Sequence, residues 1–192
     1  GVPGTIVDRA GNRMEYTLDS WGRTLTVRGP KEIAAGKPFT IRYTYTGREP
    51  APTGSTRQRA VSMAMTENYD PEHPQNPIKT YTYCDGLGCI VQTRKEAEIG
   101  GVEKLVISGH VEYDAFGRAV ESYYPTEIDK DSSRYRPITD NTAPASTVTY
   151  DVLDRPLVQT APDGSTTTFS YGFNGSPLNK MLFSTIITDA NS

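Results

Sequence analysis

The sequence predicts an all-β protein of antiparallel strands and hairpins, and three observations lead to that prediction. Its 192 residues include 23 Val and Ile against 8 Leu, with 24 Thr and 12 Tyr, a composition that favours a pleated surface over helix. Apolar and polar residues alternate in several stretches, whereas helix-period patterns are almost absent. A short turn motif also recurs four times along the chain.

The clearest predicted strand is Phe39–Thr46. Phe39, Ile41, Tyr43 and Tyr45 alternate there with polar residues, so one face of the strand is expected in the core and the other in water. The same alternation recurs at Val61, Met63 and Met65, at Leu105, Ile107, Val111 and Tyr113, and at Thr167, Phe169 and Tyr171, and predicts further strands there.

Connections of several kinds separate these strands. Lys31–Ala35 and Arg94–Glu98 are each predicted to form about one turn of helix, too short to stand without tertiary support. Arg48–Thr56 and Asp129–Pro144 are rich in Pro, Ser, Asp and Asn and predict long loops. Asn174-Gly175 predicts a two-residue hairpin, because both central positions of a type I′ turn need positive φ.

The recurring motif consists of Tyr or an apolar residue, Asp, two further residues, Gly and Arg. Its copies are Leu18–Arg23, Cys84–Cys89, Tyr113–Arg118 and Tyr150–Arg155. Asp at the first turn position bonds nearby backbone N–H groups, and Gly three residues later adopts a left-handed conformation without steric cost. Asp154 replaces Gly in the last copy, and Asp tolerates that conformation.

The motif therefore predicts a set of turn-forming residues, with the arginines pairing to strand carbonyls or acidic neighbours. The set is Asp19, Gly22, Arg23, Asp85, Gly88, Tyr113, Asp114, Gly117, Arg118, Tyr150, Asp151 and Arg155.

Charge and hydropathy exclude two classes of partner. The chain has 20 Lys and Arg against 23 Asp and Glu, a formal charge of −3, and no basic cluster that would neutralise a phosphate backbone. No apolar run approaches the roughly 18 residues that would span a bilayer. We expect neither nucleic-acid binding nor a membrane span.

The chain is divided into two parts by this pattern. Residues 1–56 are an N-terminal β segment with one copy of the motif and a long loop, and residues 57–192 are the main repeat region. The first residue is Gly, and no secretory leader follows it, so we expect the sequence to be part of a longer chain.

Tyr-Asp pairs at Tyr113-Asp114 and Tyr150-Asp151 make the chain resemble the RHS or YD-repeat proteins. A narrower resemblance, to the subset related to B subunits of bacterial insecticidal Tc toxins, comes from residues 69–74, 80–83, 85–88 and 92–95. The resemblance implies a secreted or cell-surface bacterial protein in which long strands wind into a spiral sheet and close a hollow shell. In relatives this shell encloses a toxic C-terminal polypeptide, but the aspartyl self-cleavage motif and the variable toxin of those relatives are not found in this sequence.

On this interpretation the chain is a non-enzymatic wall segment without a cofactor. Its partners would be the remaining repeats of the parent chain and an enclosed C-terminal polypeptide. An isolated piece of such a wall would also have open strand edges, which predicts self-association.

Both cysteines fall in one copy of the motif, Cys84 at the Tyr position and Cys89 at the Arg position. Because they flank the four-residue turn, they are expected to face each other across a hairpin, at a separation compatible with a disulfide. The alternative is two free thiols that pack as small hydrophobic side chains.

Other candidate sites are weaker. Zinc binding by Cys84, Cys89, His73 and His110 has unsuitable spacing. The acidic stretch from Asp129 to Asp140 resembles the start of a calcium loop but lacks its Gly.

Asp70, Glu72 and His73 offer acid and base groups without an evident nucleophile. The alternative function is carbohydrate or cell-surface binding, in which exposed tyrosines such as Tyr123, Tyr124 and Tyr135 stack on sugar rings.

Overall fold

Antiparallel strands form almost all of the regular structure in the computed structural model, which confirms the predicted all-β class. The structure describes residues 4–49, 61–130, 135, 143–175 and 181–189. No helix in these ranges is long and apolar enough to cross a membrane.

Fifteen strands and one short helix follow one another along the described residues. In chain order they are β1 Thr5–Val7, β2 Arg13–Leu18, β3 Thr24–Arg28, α1 Pro30–Ala34, β4 Ile41–Glu49, β5 Val61–Asn68, β6 Ile78–Cys84, β7 Ile90–Ile99, β8 Val102–Ser108, β9 Val111–Tyr113, β10 Ala119–Tyr123, β11 Thr126–Asp129, β12 Ala145–Tyr150, β13 Pro156–Thr160, β14 Thr166–Gly175 and β15 Met181–Thr188.

The first sheet has nine strands in the order β1-β2-β3-β4-β5-β6-β7-β8-β11, so most neighbours in space are also neighbours in sequence. Its core lies on one face of the central strands, where Val61, Tyr83, Leu105 and Ile107 are almost completely buried. Such sequential pairing needs only short hairpin connections, which the repeated turns supply.

The second sheet has six strands in the order β15-β14-β13-β12-β10-β9. Cross-strand pairs such as Phe169 with Ile187 and Phe173 with Phe183 place aromatic and apolar residues on one face of β14 and β15. Thr168 and Ser170 lie on the other face. Residues of β12, β13 and β14 are half-buried or exposed wherever their side chains are described, so no described side chain of these strands is fully buried.

Two compact units follow from the internal contacts. One comprises Gly1–Ile107 with Glu127–Pro137, and the other Ser108–Thr126 with Ile138–Ser192. The first sheet continues across residue 56, where the sequence analysis divides the chain, because β4 pairs with β5.

Two local predictions were wrong. Arg94–Glu98 is not helical but lies within β7, since pairing with β6 sets Thr80 opposite Lys95 and Tyr81 opposite Arg94. Asn174-Gly175 does not form the tip of a hairpin, because β14 continues to Gly175 and pairs there with Met181. In both places, strand pairing overrides the local preference.

The other connections are simpler. Helix α1 is formed by Pro30–Ala34, one residue before the predicted turn of helix. The predicted loop Arg48–Thr56 overlaps the end of β4 at Arg48 and Glu49, and the rest of it lies outside the described residues. Most of Asp129–Pro144 also lies outside them.

Candidate functional site: the clasped turns

Each copy of the motif forms the same tight turn between two antiparallel strands. In the third copy, the Gly117 N–H donates to the Asp114 carbonyl at 3.1 Å, and the Asp114 N–H donates to the Arg118 carbonyl at 2.9 Å. Gly117 has a φ of 81°, in the left-handed region that residues with a Cβ rarely adopt. Equivalent bonds close the turns that begin at Asp19, Asp85 and Asp151.

The motif aspartate holds the turn through its carboxylate as well. Asp114 Oδ1 accepts the backbone N–H groups of Phe116 at 2.9 Å and Arg118 at 3.0 Å. Asp19, Asp85 and Asp151 each accept the two corresponding N–H groups at 2.8 to 3.0 Å. One side chain therefore satisfies two backbone donors that strand pairing does not use.

The motif arginine folds back onto this aspartate. Arg118 Nε donates to Asp114 Oδ2 at 2.7 Å. Arg23 and Arg155 make the same bond to Asp19 and Asp151, at 2.6 and 2.7 Å. The guanidinium is therefore held flat against the turn, with one of its faces available for packing.

A tyrosine from a following strand covers that face. Tyr150 lies over the Arg118 guanidinium at 5.0 Å, and its hydroxyl donates to the carbonyl of Ala119, the residue after the arginine, at 2.8 Å. Tyr45 covers Arg23 at 4.4 Å and bonds the Thr24 carbonyl at 2.9 Å.

Tyr171 completes the third example, because it covers Arg155 at 4.2 Å and bonds the Pro156 carbonyl at 2.9 Å. We call this arrangement of aspartate, arginine and tyrosine a clasped turn. The clasped turns are those of Asp19, Asp114 and Asp151.

Two of the clasped turns are joined to each other in the second unit. The Arg118 guanidinium donates to the Asp151 carbonyl at 2.9 Å and to Asp154 Oδ1 at 3.0 Å. Asp154 stands where the other copies have Gly and has a φ of 61°. Its carboxylate thus supplies a contact to the preceding turn that Gly lacks.

Sequence reasoning missed part of this site. Tyr150 was identified only as the first residue of its own motif, although it also clasps the preceding turn, and Tyr45 and Tyr171 were treated as strand residues. A fifth turn of the same shape begins at Asp8, whose carboxylate accepts the Ala10 and Asn12 N–H groups. The Asp-x-x-Gly spacing of Asp8 and Gly11 could have indicated this turn. The full motif does not match there, because Asn12 stands in place of the arginine and bonds Asp8 instead.

The model of a family described as a domain of unknown function, DUF6443, matches residues 57–185, about two thirds of the chain. The chain belongs to the DUF6443 family. No curated protein sequence matches the chain.

Solved structures of toxin complexes have the same fold as this DUF6443 chain. The crystal structure of TcdB2-TccC3 superposes with a TM-score of 0.68 at 19% identity, over 98% of this chain and 11% of the other. The structure of the Photorhabdus luminescens Tc holotoxin pore superposes with a TM-score of 0.70 at 15% identity, over 98% of this chain and 13% of the other. The structure of TcdB2-TccC3 without its hypervariable C-terminal region gives a TM-score of 0.65 at 15% identity, over 91% of this chain and 13% of the other. The chain therefore spans about a tenth of the length of these structures.

The second copy of the motif in this DUF6443 chain lacks the clasp. Cys84 and Cys89 are free thiols in this structure, and the cross-turn disulfide stays a prediction. Cys84 lies opposite Ile90, whereas the Cys89 carbonyl accepts the Asp85 N–H at the turn itself. The cysteines therefore belong to successive cross-strand pairs, and successive residues of a strand point to opposite faces. Burial, followed by the charges of Asp85 and Cys89, raises the pKa of the Cys84 thiol.

Two of the three acid and base candidates, Asp70 and His73, line a cleft of about 290 Å³ in the first unit. His73 Nδ1 lies 3.0 Å from Asp70 Oδ2, and the hydrogen bond from His73 lowers the pKa of Asp70. Lys130 reaches the same cleft and pairs with Glu103 at 3.0 Å and Glu96 at 3.3 Å. Two carboxylates thus bind the lysine.

Metal binding finds no support among the described residues, which contain no group of three or more His, Cys, Asp or Glu able to hold an ion. At the start of the calcium-like stretch, Asp129 accepts a hydrogen bond from Lys104 at 2.7 Å. Asp131 and Asp140 lie outside the described residues.

The tyrosines of the carbohydrate-binding alternative are arranged differently from the prediction. Tyr123 and Tyr135 are buried, and Tyr135 packs against Tyr83 with ring centroids 5.5 Å apart. Tyr124 alone of the three is exposed, at 52%. The prediction that all three tyrosines are exposed for stacking on sugar rings was therefore wrong.

Removing a clasp hydroxyl is expected to weaken its turn. Tyr150→Phe keeps the ring over Arg118 but leaves the Ala119 carbonyl without its donor, so the free energy of unfolding should fall by about 1 kcal/mol. Tyr124→Phe, at an exposed position, should change it by less than about 0.5 kcal/mol. Urea denaturation of both variants measures the difference. Equal stabilities would show that the tyrosine hydroxyl bond of the clasp does not stabilise the protein.

Acidification should loosen the turns. The Arg155 N–H is the largest cause that lowers the pKa of Asp151 below 3.8. For Asp114, partial burial raises the pKa, but the hydrogen bonds and charge of Arg118 outweigh it and lower the pKa overall. A lowered folded-state pKa means that the unfolded chain binds protons first, so the stabilisation present above 3.8 is lost as pH falls through the folded pKa.

Thermal melts between about pH 5 and about pH 2.5 test this expectation. The melting temperature should fall across that range, and it should fall less steeply in the Asp114→Asn, Asp151→Asn double variant. A double variant with the slope of the parent would assign the acid sensitivity to other carboxylates.

Proposed function

We propose that this chain is a structural wall segment of a secreted or cell-surface bacterial protein of the RHS/YD-repeat type, related to Tc toxins. It contributes strands to a β-shell that encloses a C-terminal polypeptide. It performs no catalysis itself, and its partners are further repeats of the same parent chain and the enclosed polypeptide.

The observation that carries this proposal is the clasped turn, which occurs three times with the same contacts. Each clasp takes its aspartate and arginine from one hairpin and its tyrosine from a later strand. Every added hairpin is thereby fastened to the strand that extends the sheet. Such a unit suits a wall built by repetition, because stability depends on neighbouring repeats rather than on one central core.

The last two strands of the second sheet support the same interpretation. Its β14 and β15 carry an aromatic face with Phe169 and Phe173 and a Thr- and Ser-bearing face with Thr168 and Ser170. A wall separates two environments, and a sheet with two chemically different faces fits that role.

The comparisons add support at the level of fold. The chain corresponds to about a tenth of each similar toxin chain, as a segment of a larger wall would. One of these complexes was solved without its hypervariable C-terminal region, which in that protein is therefore a separable part.

Limited proteolysis of the full-length parent protein, followed by mass spectrometry, tests the proposal. A C-terminal fragment that resists digestion until the wall unfolds is the expected result. The Arg118→Ala, Arg155→Ala variant, in which two clasps are removed, should release that protection at a lower denaturant concentration. Immediate digestion of the C-terminal part while residues 1–192 persist would refute enclosure.

A further inference from the structure

An Asp-Pro peptide bond lies in the connection between β5 and β6. Asp70-Pro71 is the only Asp-Pro pair in the sequence, and the residues from Pro71 to Asn76 are exposed. Acid cuts an Asp-Pro bond more readily than other peptide bonds, because the aspartate carboxyl group can attack its own main-chain carbonyl carbon. The proline nitrogen carries no hydrogen in the chain and leaves as a basic secondary amine. The connection therefore contains a chemically weak bond in an accessible place.

His73 holds the carboxyl group of this aspartate. Its Nδ1 lies 3.0 Å from Asp70 Oδ2, and the Glu72 N–H donates to Asp70 Oδ1 at 2.9 Å. The carboxyl group is thereby fixed beside the bond that it can attack. The hydrogen bond from His73 is the largest cause that lowers the pKa of Asp70, so this carboxyl group is ionised at neutral pH and brings no proton of its own. A protonated imidazole in contact with Oδ2 can supply that proton.

Charged side chains from three further segments line the same cleft as the imidazole. They are Glu96 and Glu98 of β7, Glu103 of β8, and Lys130, which follows β11. Three carboxylates against one ammonium give a net negative setting, in which a protonated ring is attracted rather than repelled. The His73 side chain is 69% exposed, so water, the other reactant, reaches it from the solvent.

We propose that His73 promotes cleavage of the Asp70–Pro71 peptide bond by the aspartate itself. The protonated imidazole gives its Nδ1 proton to Asp70 Oδ2, and a carboxyl oxygen attacks the main-chain carbonyl carbon of Asp70. A five-membered cyclic anhydride forms while the bond to the Pro71 nitrogen breaks, and that nitrogen takes the proton. Water then opens the anhydride, its hydroxyl adding to a carbonyl carbon and its other proton going to the departing oxygen. The new carboxyl groups ionise, and one of their protons restores the imidazolium.

The products are one fragment that ends at Asp70 and one that begins at Pro71, with one water consumed. The cut leaves the sheet intact, because β5 and β6 stay paired from Ser62 with Cys84 to Asn68 with Ile78. The two fragments should therefore migrate together under native conditions and separate in denaturant. This is a single self-processing event and not turnover of a substrate, so it goes beyond the wall function and does not depend on it.

Intact-mass spectrometry of the purified protein, incubated with protease inhibitors at about pH 5.5 and about pH 7.5, tests the proposal. The two fragments should form at least about tenfold faster at the lower pH, where imidazole is largely protonated. In concentrated urea, where the contact between His73 and Asp70 is lost, cleavage at the lower pH should be at least about tenfold slower. No cleavage of the folded protein at either pH, or equal rates for the folded and the unfolded protein, would overturn the proposal.

Substitution of the histidine tests its role as the proton donor. At about pH 5.5, His73→Gln should be cleaved at least about tenfold more slowly than the parent protein. Glu72→Gln is the matched control, because Glu72 bonds Asp70 through its backbone N–H, and it should be cleaved as the parent is. At about pH 2.5, where the solvent supplies the proton, His73→Gln and the parent should be cleaved at equal rates. A His73→Gln variant as fast as the parent at the higher pH would refute the role of the histidine.

Discussion

Arg94→Ala is expected to destabilise the protein by about 3 kcal/mol, more than any other single change considered. Arg94 is completely buried in β7, where its Nε donates to Gln92 Oε1 at 2.7 Å and its guanidinium lies over the Tyr83 ring at 5.3 Å. Gln92 and Tyr83 are completely buried as well. Truncation would leave a cavity together with polar groups that lose a partner, and the two effects add.

Lys95→Ala is the matched control, because Lys95 is the next residue of the same strand and its side chain is exposed. Its unfolding free energy should stay within about 0.5 kcal/mol of the parent value. Chemical denaturation of both variants gives the comparison. Similar losses for the two variants would mean that Arg94 is not the buried anchor that its environment indicates.

Gly88→Val should destabilise the protein by about 2 kcal/mol, whereas Gly86→Val in the same turn should have little effect. Gly88 has a φ of 83°, which a β-branched residue adopts only under strain. Gly86 has no φ in the left-handed region. A Cβ built at either glycine meets no atom within 4 Å, so the two variants differ in backbone strain and not in crowding.

Thermal and urea denaturation of the two valine variants measure this contrast. Gly117→Val, at the equivalent position of the third copy with a φ of 81°, should behave like Gly88→Val. If Gly86→Val were as unstable as Gly88→Val, the cost would arise from valine in the turn generally, and the left-handed position would have no special role.

The local sequence predicted the structure where the contacts join residues that are close in the chain. The fold class follows from composition and is confirmed by the structure. The strand predicted at Phe39–Thr46 follows from alternation, and the structure has it as β4, Ile41–Glu49, which begins two residues after Phe39. The turn motif is informative for the same reason, since Asp114 bonds groups two and four residues away. These contacts close within a few residues, so the sequence contains both partners side by side.

Predictions failed where a distant strand decides the outcome. Arg94–Glu98 has an acceptable helical sequence, but β6 pairs with it and turns it into strand. Asn174-Gly175 has the sequence of a hairpin turn, yet β14 continues to Gly175 and pairs there with Met181 of β15. Local spacing does not reveal a register that the whole strand pair determines.

The clasped turn separates most clearly what the local sequence determines from what the tertiary structure decides. By itself, the sequence determined an all-β chain, the places where it turns and the aspartates and glycines that make those turns, because their bonds span at most four residues. Only the tertiary structure decided which tyrosine covers which arginine: Tyr45 lies 22 residues after Arg23 and Tyr171 lies 16 after Arg155. The physical reason is that strand order and register bring each pair together, and these depend on the burial and pairing of whole strands rather than on any motif.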